Sequence, residues 1–295
     1  LRKLLGTFRF DGLQKAATLL GGILDFPPAQ VLTVLRRDGV LRQSGLLEFG
    51  RHVHDLEDLI QLGSHLREVI GFPHDSIAAL MAHFLAESPP GQLRREDYPH
   101  LRQPHQDLTD LLAGALRQRQ AGVNVLLYGP PGTGKTEFAR LLAAELQARL
   151  YAITTRDDDG GAADAHERLT AYQLAQRFLN EQPAALVLFD EVEDIFSGDA
   201  GTAALSRLFG GGGRHGNARK AWLNQVLETN PVPTIWIANQ IGEFDPAFLR
   251  RFHYAVELGI PPLSVRRRIV GRHLDGLALS PACRDRLAQQ QASPA

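Results

Sequence analysis

The sequence predicts an α/β protein in which a parallel sheet carries helices on both faces. Three observations indicate this fold class: strand patterns alternate with helical patterns from about residue 98, a glycine-rich turn joins the first of these strands to a helix, and a later strand ends in two carboxylates. Parallel strands need helical crossovers, and such sheets bind ligands beyond the carboxyl ends of their strands. We therefore expect the functional residues at that edge.

Size and composition restrict the possible functions. The chain has 295 residues, enough for two ordinary domains, and its formal net charge of −1 provides no overall basic field for nucleic acid. The single cysteine, Cys283, excludes an internal disulfide and fits a reducing compartment, so we expect a cytoplasmic protein. No apolar run approaches the roughly 20 residues of a membrane span. Because residue 1 is Leu, we also expect the chain to derive from a longer protein.

Residues 1–97 are predicted to form a small, mainly helical N-terminal domain. Apolar residues recur at spacings of three and four in Leu13–Leu20 and again in Leu56–Ile70, as on one face of a helix. Pro27 and Pro28 stand where prolines open a helix. The prolines and glycine of Ser88–Arg95 indicate a linker that ends this domain.

Residues 98–278 are predicted to form the α/β module. Gly122 and Pro183 precede strands and interrupt the helical patterns before them. The predicted strands are Val123–Tyr128, Leu150–Thr154, Ala184–Phe189, Thr234–Ala238 and His253–Leu258. The predicted helices are Gln106–Arg119, Lys135–Leu146, Glu167–Asn180, Arg219–Glu228 and a short one near Asp245.

The segment after the first of these strands matches the phosphate-loop pattern, in which four residues separate two glycines and Lys and Thr follow. Its residues are Gly129, Pro130, Pro131, Gly132, Thr133, Gly134, Lys135 and Thr136. Lys135 would reach the β- and γ-phosphates of a nucleotide, and the Thr136 hydroxyl would bind Mg²⁺. The alternative, a glycine turn with an exposed lysine, needs the full pattern and its strand-to-helix setting to coincide by chance. The segment therefore predicts a site for ATP and Mg²⁺.

Two carboxylates follow the strand Ala184–Phe189. Asp190 would hold Mg²⁺ through water, and Glu191 would polarise the water that attacks the γ-phosphate. The alternative is a pair of solvated acids that cap the next helix. Glu193 and Asp194 are expected to be surface acids.

The sequence Gly-Pro-Pro-Gly-Thr-Gly-Lys-Thr, followed later by Leu-Phe-Asp-Glu, resembles the AAA+ ATPases over roughly residues 98–290. The resemblance implies the three-layer parallel sheet of P-loop NTPases of the AAA+ type and hydrolysis of ATP to ADP. It also implies that Asn239, which ends the strand Thr234–Ala238, bridges Glu191 and the γ-phosphate.

The segment Asp245–Phe252 resembles the arginine-finger region of the same family. The resemblance implies a homo-oligomeric ring, expected to be a hexamer, in which an arginine reaches the γ-phosphate bound by the neighbouring subunit. Arg251 is our first choice and Arg250 the second. Related sequences often carry a Pro-Gly between the two arginines, and its absence here leaves the choice between them open. An ordinary charge at a helix end is the alternative for either residue.

The chain departs from the family pattern in several places. The acidic segment Arg156–Gly161 stands where protein-threading members carry an aromatic pore loop, and glycine-rich Ser197–Gly216 is an alternative moving element. Residues 279–295 are expected to be a tail or the start of a helical lid that is largely missing. At the other end, Val34–Leu47 resembles winged-helix segments that precede the module in some bacterial members.

These features together predict the ATPase module of a protein-remodelling machine, an unfoldase or a disassembly enzyme, whose protein substrate the sequence does not identify. One alternative is a DNA-associated ATPase, either a loader or linked to recombination. Another is a regulatory scaffold that switches with nucleotide and scarcely turns over. Nucleic acid is not favoured, because the basic run Arg266–Arg268 is more typical of a surface or intersubunit face.

Overall fold

A computed structural model describes residues 13–36, 47–48, 61–62, 72–154, 163, 165–196, 216–274 and 280–289. The chain divides into two compact units. The first consists of the described parts of Leu1–Leu85, Thr154–Ala175 and Thr202–Lys220, and the second of those of Ala86–Ile153, Gln176–Gly201 and Ala221–Ala295.

The first unit contains short elements that begin with a helical hairpin. The elements are α1 (Leu13–Leu24), α2 (Pro28–Leu35), β1 (Leu47–Glu48), β2 (Gln61–Leu62) and α3 (Ile77–Met81). The turn between α1 and α2 is tight, because the Phe26 N–H donates to the Gly21 carbonyl at 2.9 Å and a Cβ on Gly21 would lie 2.7 Å from the Phe26 carbonyl oxygen. Pro28 is the first residue of α2, as its fixed φ allows.

The predicted helix over Leu56–Ile70 is wrong at two positions. Gln61 and Leu62 form β2, which pairs antiparallel with β1 so that Leu62 lies opposite Leu47. Short apolar runs fit a strand as well as a helix, and pairing with a distant segment decides between them. The rest of that predicted helix, and most of the winged-helix resemblance, lie outside the described residues.

The second unit contains the sheet and most of its helices. Its strands are β3 (Leu85–Glu87, whose first residue belongs to the first unit), β4 (Asn124–Tyr128), β5 (Arg149–Ile153), β6 (Ala185–Phe189), β7 (Thr234–Ala238) and β8 (Tyr254–Glu257). Its helices are α4 (Arg102–Gln118), α5 (Lys135–Glu145), α7 (Glu193–Phe196), α9 (Pro246–Leu249), α10 (Leu263–His273) and α11 (Pro281–Gln289). Helices α6 (Ala165–Leu179) and α8 (Gly216–Thr229) contribute residues to both units.

The six strands form one sheet in the order β3-β5-β6-β7-β4-β8. The pairings from β5 through β6, β7 and β4 to β8 are parallel. All five residues of β6 and of β7 are buried, because helices cover both faces of a parallel sheet. The predicted fold class is confirmed, and each of the five predicted strands lies within two residues of its observed bounds at each end.

The apolar core of this unit lies between the sheet and helices α4 and α5. Leu108 and Leu112 of α4 and Phe138 and Leu142 of α5 are fully buried against the central strands. Their spacing of four residues places each pair on one helix face. Within the described residues, no helix is both long and apolar enough to cross a membrane.

The segment predicted as a linker is bonded to the second unit. The Ser88 N–H donates to the Leu150 carbonyl at 2.7 Å, and the Gln92 N–H donates to the Glu137 carboxylate at 2.8 Å. The Arg140 guanidinium donates to the Ser88 hydroxyl at 2.9 Å. This segment is therefore attached to the helix that follows the phosphate-loop pattern. The domain boundary near residue 97 stays a prediction.

The side chains of the basic run Arg266–Arg268 connect the C-terminal helices α10 and α11. Arg266 donates to the Ala288 and Pro261 carbonyls, Arg267 pairs with the Asp285 carboxylate at 2.9 Å, and Arg268 donates to the Glu96 carbonyl. These bonds join α10 to α11 and to the segment before α4. The lid stays a prediction, and residues 156–161 and 197–215 lie outside the described residues.

Candidate functional site

The phosphate-loop residues turn between the carboxyl end of β4 and the first residue of α5. The backbone is left-handed at Gly129, Gly132 and Gly134, with φ of 139°, 73° and 87°. A Cβ on Gly129 would also lie only 2.2 Å from the Leu258 carbonyl oxygen, so a side chain there would displace the loop or β8. A glycine turn that ends at a helix N-terminus can direct backbone N–H groups at an anion.

Lys135, the first residue of α5, is only 6% exposed. Its ammonium donates to the Gly129 carbonyl at 2.7 Å, to the Pro130 carbonyl at 2.9 Å and to Asn239 Oδ1 at 3.0 Å. Burial lowers the pKa of Lys135, and the nearby carboxylates of Asp190 and Glu193 oppose that shift. A buried cation therefore lies at the loop with its donors held by neutral oxygens, which an anionic ligand could replace.

Thr136 and Asp190 meet beside this lysine. The Thr136 hydroxyl donates to Asp190 Oδ2 at 3.2 Å, and Asp190 Oδ1 accepts from the Glu191 N–H at 2.9 Å. Burial raises the pKa of Asp190, while these hydrogen bonds oppose the shift. Hydroxyl and carboxylate oxygens are ligands that suit Mg²⁺, which takes few protein ligands when phosphates supply others. The pair therefore fits Mg²⁺, although the described residues contain no cluster of three or more His, Cys, Asp or Glu that could hold a metal ion.

Glu191 follows Asp190 on a strained turn. Its φ is +53°, unusual for a residue with a side chain, and it is exposed. The next residue holds the turn in place, because the Val192 N–H donates to the Ile237 carbonyl of β7 at 3.1 Å. Backbone strain of this kind persists where the surrounding structure fixes it, and it is concentrated at functional sites.

The prediction that Glu193 is a surface acid is wrong. Glu193 is half-buried, and its carboxylate accepts a hydrogen bond from the backbone N–H of Asn239. Asp194 is half-buried too. The local pattern of acids after a strand did not reveal these positions, because they depend on how β6 and β7 pair.

Tyr98 is a second site residue that sequence reasoning missed. Its hydroxyl donates to the Gly134 carbonyl at 3.1 Å, and its ring packs edge-on against Phe138 with centroids 5.0 Å apart. Burial raises the pKa of Tyr98, so the hydroxyl remains a donor. Within the loop, the Thr133 hydroxyl donates to the Pro130 carbonyl at 2.9 Å. No local pattern marks Tyr98, which lies 36 residues before Gly134.

The two arginines lie at the opposite edge of the sheet from these residues. They follow α9, and the His253 N–H donates to the carbonyl of Asn124, the first residue of β4. The phosphate loop begins at the other end of β4, about 13 Å further along the strand. The structure therefore brings together the loop, Asp190, Glu191 and Asn239, and it does not bring the arginines to them.

The two arginines differ in their contacts. Arg251 donates from Nε and Nη2 to the Glu228 carboxylate at 3.1 and 3.0 Å, and from Nη1 to the Ala247 carbonyl at 3.1 Å. Arg250 is exposed, and its guanidinium has no partner among the residues that the structure describes. The geometry therefore favours Arg250 over Arg251 as the side chain that is available to a neighbouring molecule.

Comparisons with known proteins show which proteins this chain is similar to. Residues 125–260 match the family described as "ATPase family associated with various cellular activities (AAA)". Over 189 residues, 62% of this chain, the sequence is 30% identical to ATPase family AAA domain-containing protein 3A of Homo sapiens. Over 190 residues, 59% of this chain, it is 28% identical to ATP-dependent zinc metalloprotease FtsH of Rhodococcus erythropolis. The chain spans 30% of the first relative and 21% of the second.

Solved structures show the same fold. A structure reported for katanin self-assembly matches 74% of this chain and 71% of its own, with a TM-score of 0.52 and 20% identity. The FIGL-1 AAA domain in complex with ADP matches 76% of this chain and 72% of its own, with a TM-score of 0.50 and 16% identity. The predicted resemblance to AAA+ ATPases is confirmed.

Proposed function

Because residues 125–260 match the family of AAA ATPases, we propose that this chain binds ATP with Mg²⁺, hydrolyses it and uses the energy to remodel a protein substrate. One observation carries the proposal. Residues from three separate segments, the loop with the start of α5, the end of β6 and the end of β7, meet at one edge of the sheet, with Lys135 Nζ 3.0 Å from Asn239 Oδ1 and Thr136 Oγ1 3.2 Å from Asp190 Oδ2.

The loop and Lys135 bind the phosphates. The N–H groups at the start of α5 attract the phosphate oxygens, and the ammonium exchanges one of its carbonyl partners for a β- or γ-phosphate oxygen. Tyr98 holds the Gly134 carbonyl at 3.1 Å, and this keeps the first turn of α5 in place. Thr136 and Asp190 would hold Mg²⁺, which neutralises charge on the β- and γ-phosphates when it is bound.

Glu191 and Asn239 act on the reacting groups. The exposed Glu191 carboxylate orients the attacking water and takes its proton as the oxygen of that water bonds to the γ-phosphorus. The bond from the γ-phosphorus to the β,γ-bridging oxygen breaks, and ADP and phosphate are released. Asn239 turns its amide oxygen to Lys135, which leaves its NH₂ group to donate to the γ-phosphate. Each contact is strongest where charge builds up in the transition state.

The position of the arginines supports catalysis in trans. A side chain beside the first residue of β4 is too far from its own phosphate loop, so it acts on the site of an adjacent subunit. Charge neutralisation by such an arginine contributes several powers of ten to turnover in phosphoryl transfer. We propose a homo-oligomeric ring, a hexamer in the full-length protein, and the structure reported for katanin self-assembly supports assembly in this fold.

Protein remodelling in the cytoplasm is favoured over a nucleic-acid role. Each arginine of the run Arg266–Arg268 bonds within the second unit, so this run offers no free basic patch to phosphates. The whole protein's substrate and partners are part of this proposal, since the chain spans less than a third of the length of both relatives.

The test is ATP hydrolysis per subunit over a wide range of protein concentration. We expect specific activity to rise with concentration, because assembly completes each site. Glu191→Gln should lower turnover by roughly 10²- to 10⁴-fold and retain ATP binding, since the base is lost and the phosphate contacts remain. Arg250→Ala should lower turnover only in the assembled state.

Arg251→Ala is the matched control for Arg250→Ala, because it removes the same group from the next residue. If Arg251→Ala alone abolished turnover, the assignment of Arg250 would be wrong. A flat, negligible rate at every concentration with normal ATP binding would contradict hydrolysis and favour the nucleotide-switched scaffold.

A further inference from the structure

Glu193 extends the pairing between β6 and β7 beyond the end of β6. The regular register pairs Val187 with Thr234 and Phe189 with Trp236. Past Phe189 the chain turns, yet the Val192 N–H still donates to the Ile237 carbonyl at 3.1 Å. The Glu193 carboxylate then accepts from the Asn239 N–H, as a strand carbonyl would. A side chain thus fixes the backbone of the first residue beyond β7.

Asn239 is therefore held from two sides. Glu193 holds its backbone N–H, and the Lys135 ammonium holds its Oδ1 at 3.0 Å. Its Nδ2 has no protein partner among the described residues. With the backbone and the amide oxygen both fixed, the NH₂ group has one available direction. A donor whose direction is already fixed can bond a ligand atom with little loss of side-chain entropy on binding.

We propose that Glu193 is a positioning residue, which holds Asn239 so that its amide distinguishes a nucleotide with a γ-phosphate from one without. The inference rests on the proposed ATP site and concerns its discrimination between ATP and ADP. Glu193 acts through Asn239 and does not itself touch the nucleotide.

A simple role at the start of a helix does not account for this contact. Acids are favourable in the first turn of a helix, but α7 has only four residues and its dipole is correspondingly small. The Glu193 carboxylate instead accepts from the N–H of Asn239, the first residue beyond β7. The negative charge of Glu193 also favours the charged form of Lys135. Lys135, Asn239 and Glu193 are therefore coupled by hydrogen bonds and by charge.

The experiment compares the dissociation constants of ADP and of the slowly hydrolysed analogue ATPγS, both with Mg²⁺, for the full chain. In Glu193→Ala we expect ATPγS affinity to fall about tenfold, or about 1.4 kcal/mol, while ADP affinity is unchanged. Asn239→Ala should show the same selective loss. In the double variant the two losses should not add, because both remove one interaction.

Two further variants separate positioning from folding. Glu193→Gln keeps an acceptor oxygen for the Asn239 N–H, so it should recover most of the discrimination. Glu243→Ala is the matched control, because it removes an exposed acid from the connection after β7 and should change neither affinity.

An equal fall in ADP and ATPγS affinity in Glu193→Ala, or additive losses in the double variant, would overturn the inference. Both readouts are equilibrium affinities and need no turnover. A wild-type chain that binds ATPγS in preference to ADP but never hydrolyses ATP would contradict the proposed hydrolysis while this comparison still decides the role of Glu193.

Discussion

The two edges of the sheet in the second unit carry polar residues of opposite character. At the amino edge, Asn124 and Asn230 are buried, and their side chains are closely bonded: the Asn124 amide bonds the Gly122 and Leu227 carbonyls, Asn230 Oδ1 and the Trp236 indole. At the carboxyl edge, the side-chain amide of Asn239 has one partner among the described residues, Lys135, and Glu191 is exposed. The amides at the amino edge have few unused hydrogen-bond donors or acceptors, whereas the side-chain amide of Asn239 retains unused donors among the described residues.

The difference separates structural from functional polar groups. A buried amide whose donors and acceptors are all used specifies one arrangement of the strands and offers nothing to a ligand. An amide with unused donors, next to a buried cation, has capacity that a phosphate can fill. We therefore expect substitutions at the amino edge to reduce stability and those at the carboxyl edge to reduce binding or turnover.

The largest effect is expected for Lys135→Met. Removing a charged donor from the phosphates should lower ATP affinity on the order of 100-fold. Stability should change little, because burying the ammonium has a desolvation cost that an apolar side chain of similar length avoids. Isothermal titration and thermal unfolding measure the two quantities separately.

Lys15→Met is the matched control for this substitution. Lys15 is an exposed lysine in the first unit, so the same chemical change there should leave ATP affinity intact. A large loss of stability in Lys135→Met with normal ATP affinity would break the comparison, since it would make this lysine a structural residue.

The second-largest effect is expected for Asn124→Ala at the amino edge, where it should reduce stability. Asn124→Ala removes a buried amide and leaves the Trp236 N–H and the Leu227 carbonyl without their partner. Each unsatisfied buried group costs about 1 to 3 kcal/mol, so the free energy of unfolding should fall by about 3 kcal/mol. ATP affinity of the folded protein should be unchanged, as chemical denaturation and titration at low temperature would show.

Asn180→Ala provides the control, because Asn180 is exposed and its side chain makes no hydrogen bond within the described part of the chain. Equal stability of the two alanine variants would show that the amino-edge network contributes nothing net. It would also remove the contrast between the two edges.

Local sequence was sufficient to predict the elements around the site. The strand Thr234–Ala238 was predicted at its observed bounds, because apolar strand residues stand between a proline and a polar residue. The convergence of the loop and Asp190 also followed from sequence, since parallel strands end at one edge, whereas Asn239 was assigned by its resemblance to the AAA+ pattern. Strand order was not needed for that step.

Contacts that depend on the register between elements could not be predicted from the sequence. Glu193 meets Asn239, and Glu228 meets Arg251, only because particular residues of separate elements lie opposite each other. The Gln61–Leu62 strand was missed for the same reason, since its partner residues lie 13 and 15 residues away in the chain. Local patterns predict secondary-structure elements and their exposed faces, whereas the pairing between elements decides which polar side chains bond to each other.

The smallest effect concerns His105, a buried residue of α4 whose Nδ1 has no hydrogen-bond partner within the described part of the chain. Its Nε2 lies 3.1 Å from the Glu145 carboxylate and its ring packs on Phe138, yet burial, aided by Arg95, keeps the pKa of His105 below its ordinary value despite Glu145. The unfolded chain therefore binds a proton at higher pH than the folded protein does, so stability should be lost as the pH falls through about 6.5. His105→Gln removes the titrating group and should flatten this loss in denaturation experiments across that range. An unchanged slope would mean that groups other than His105 carry the pH dependence of stability.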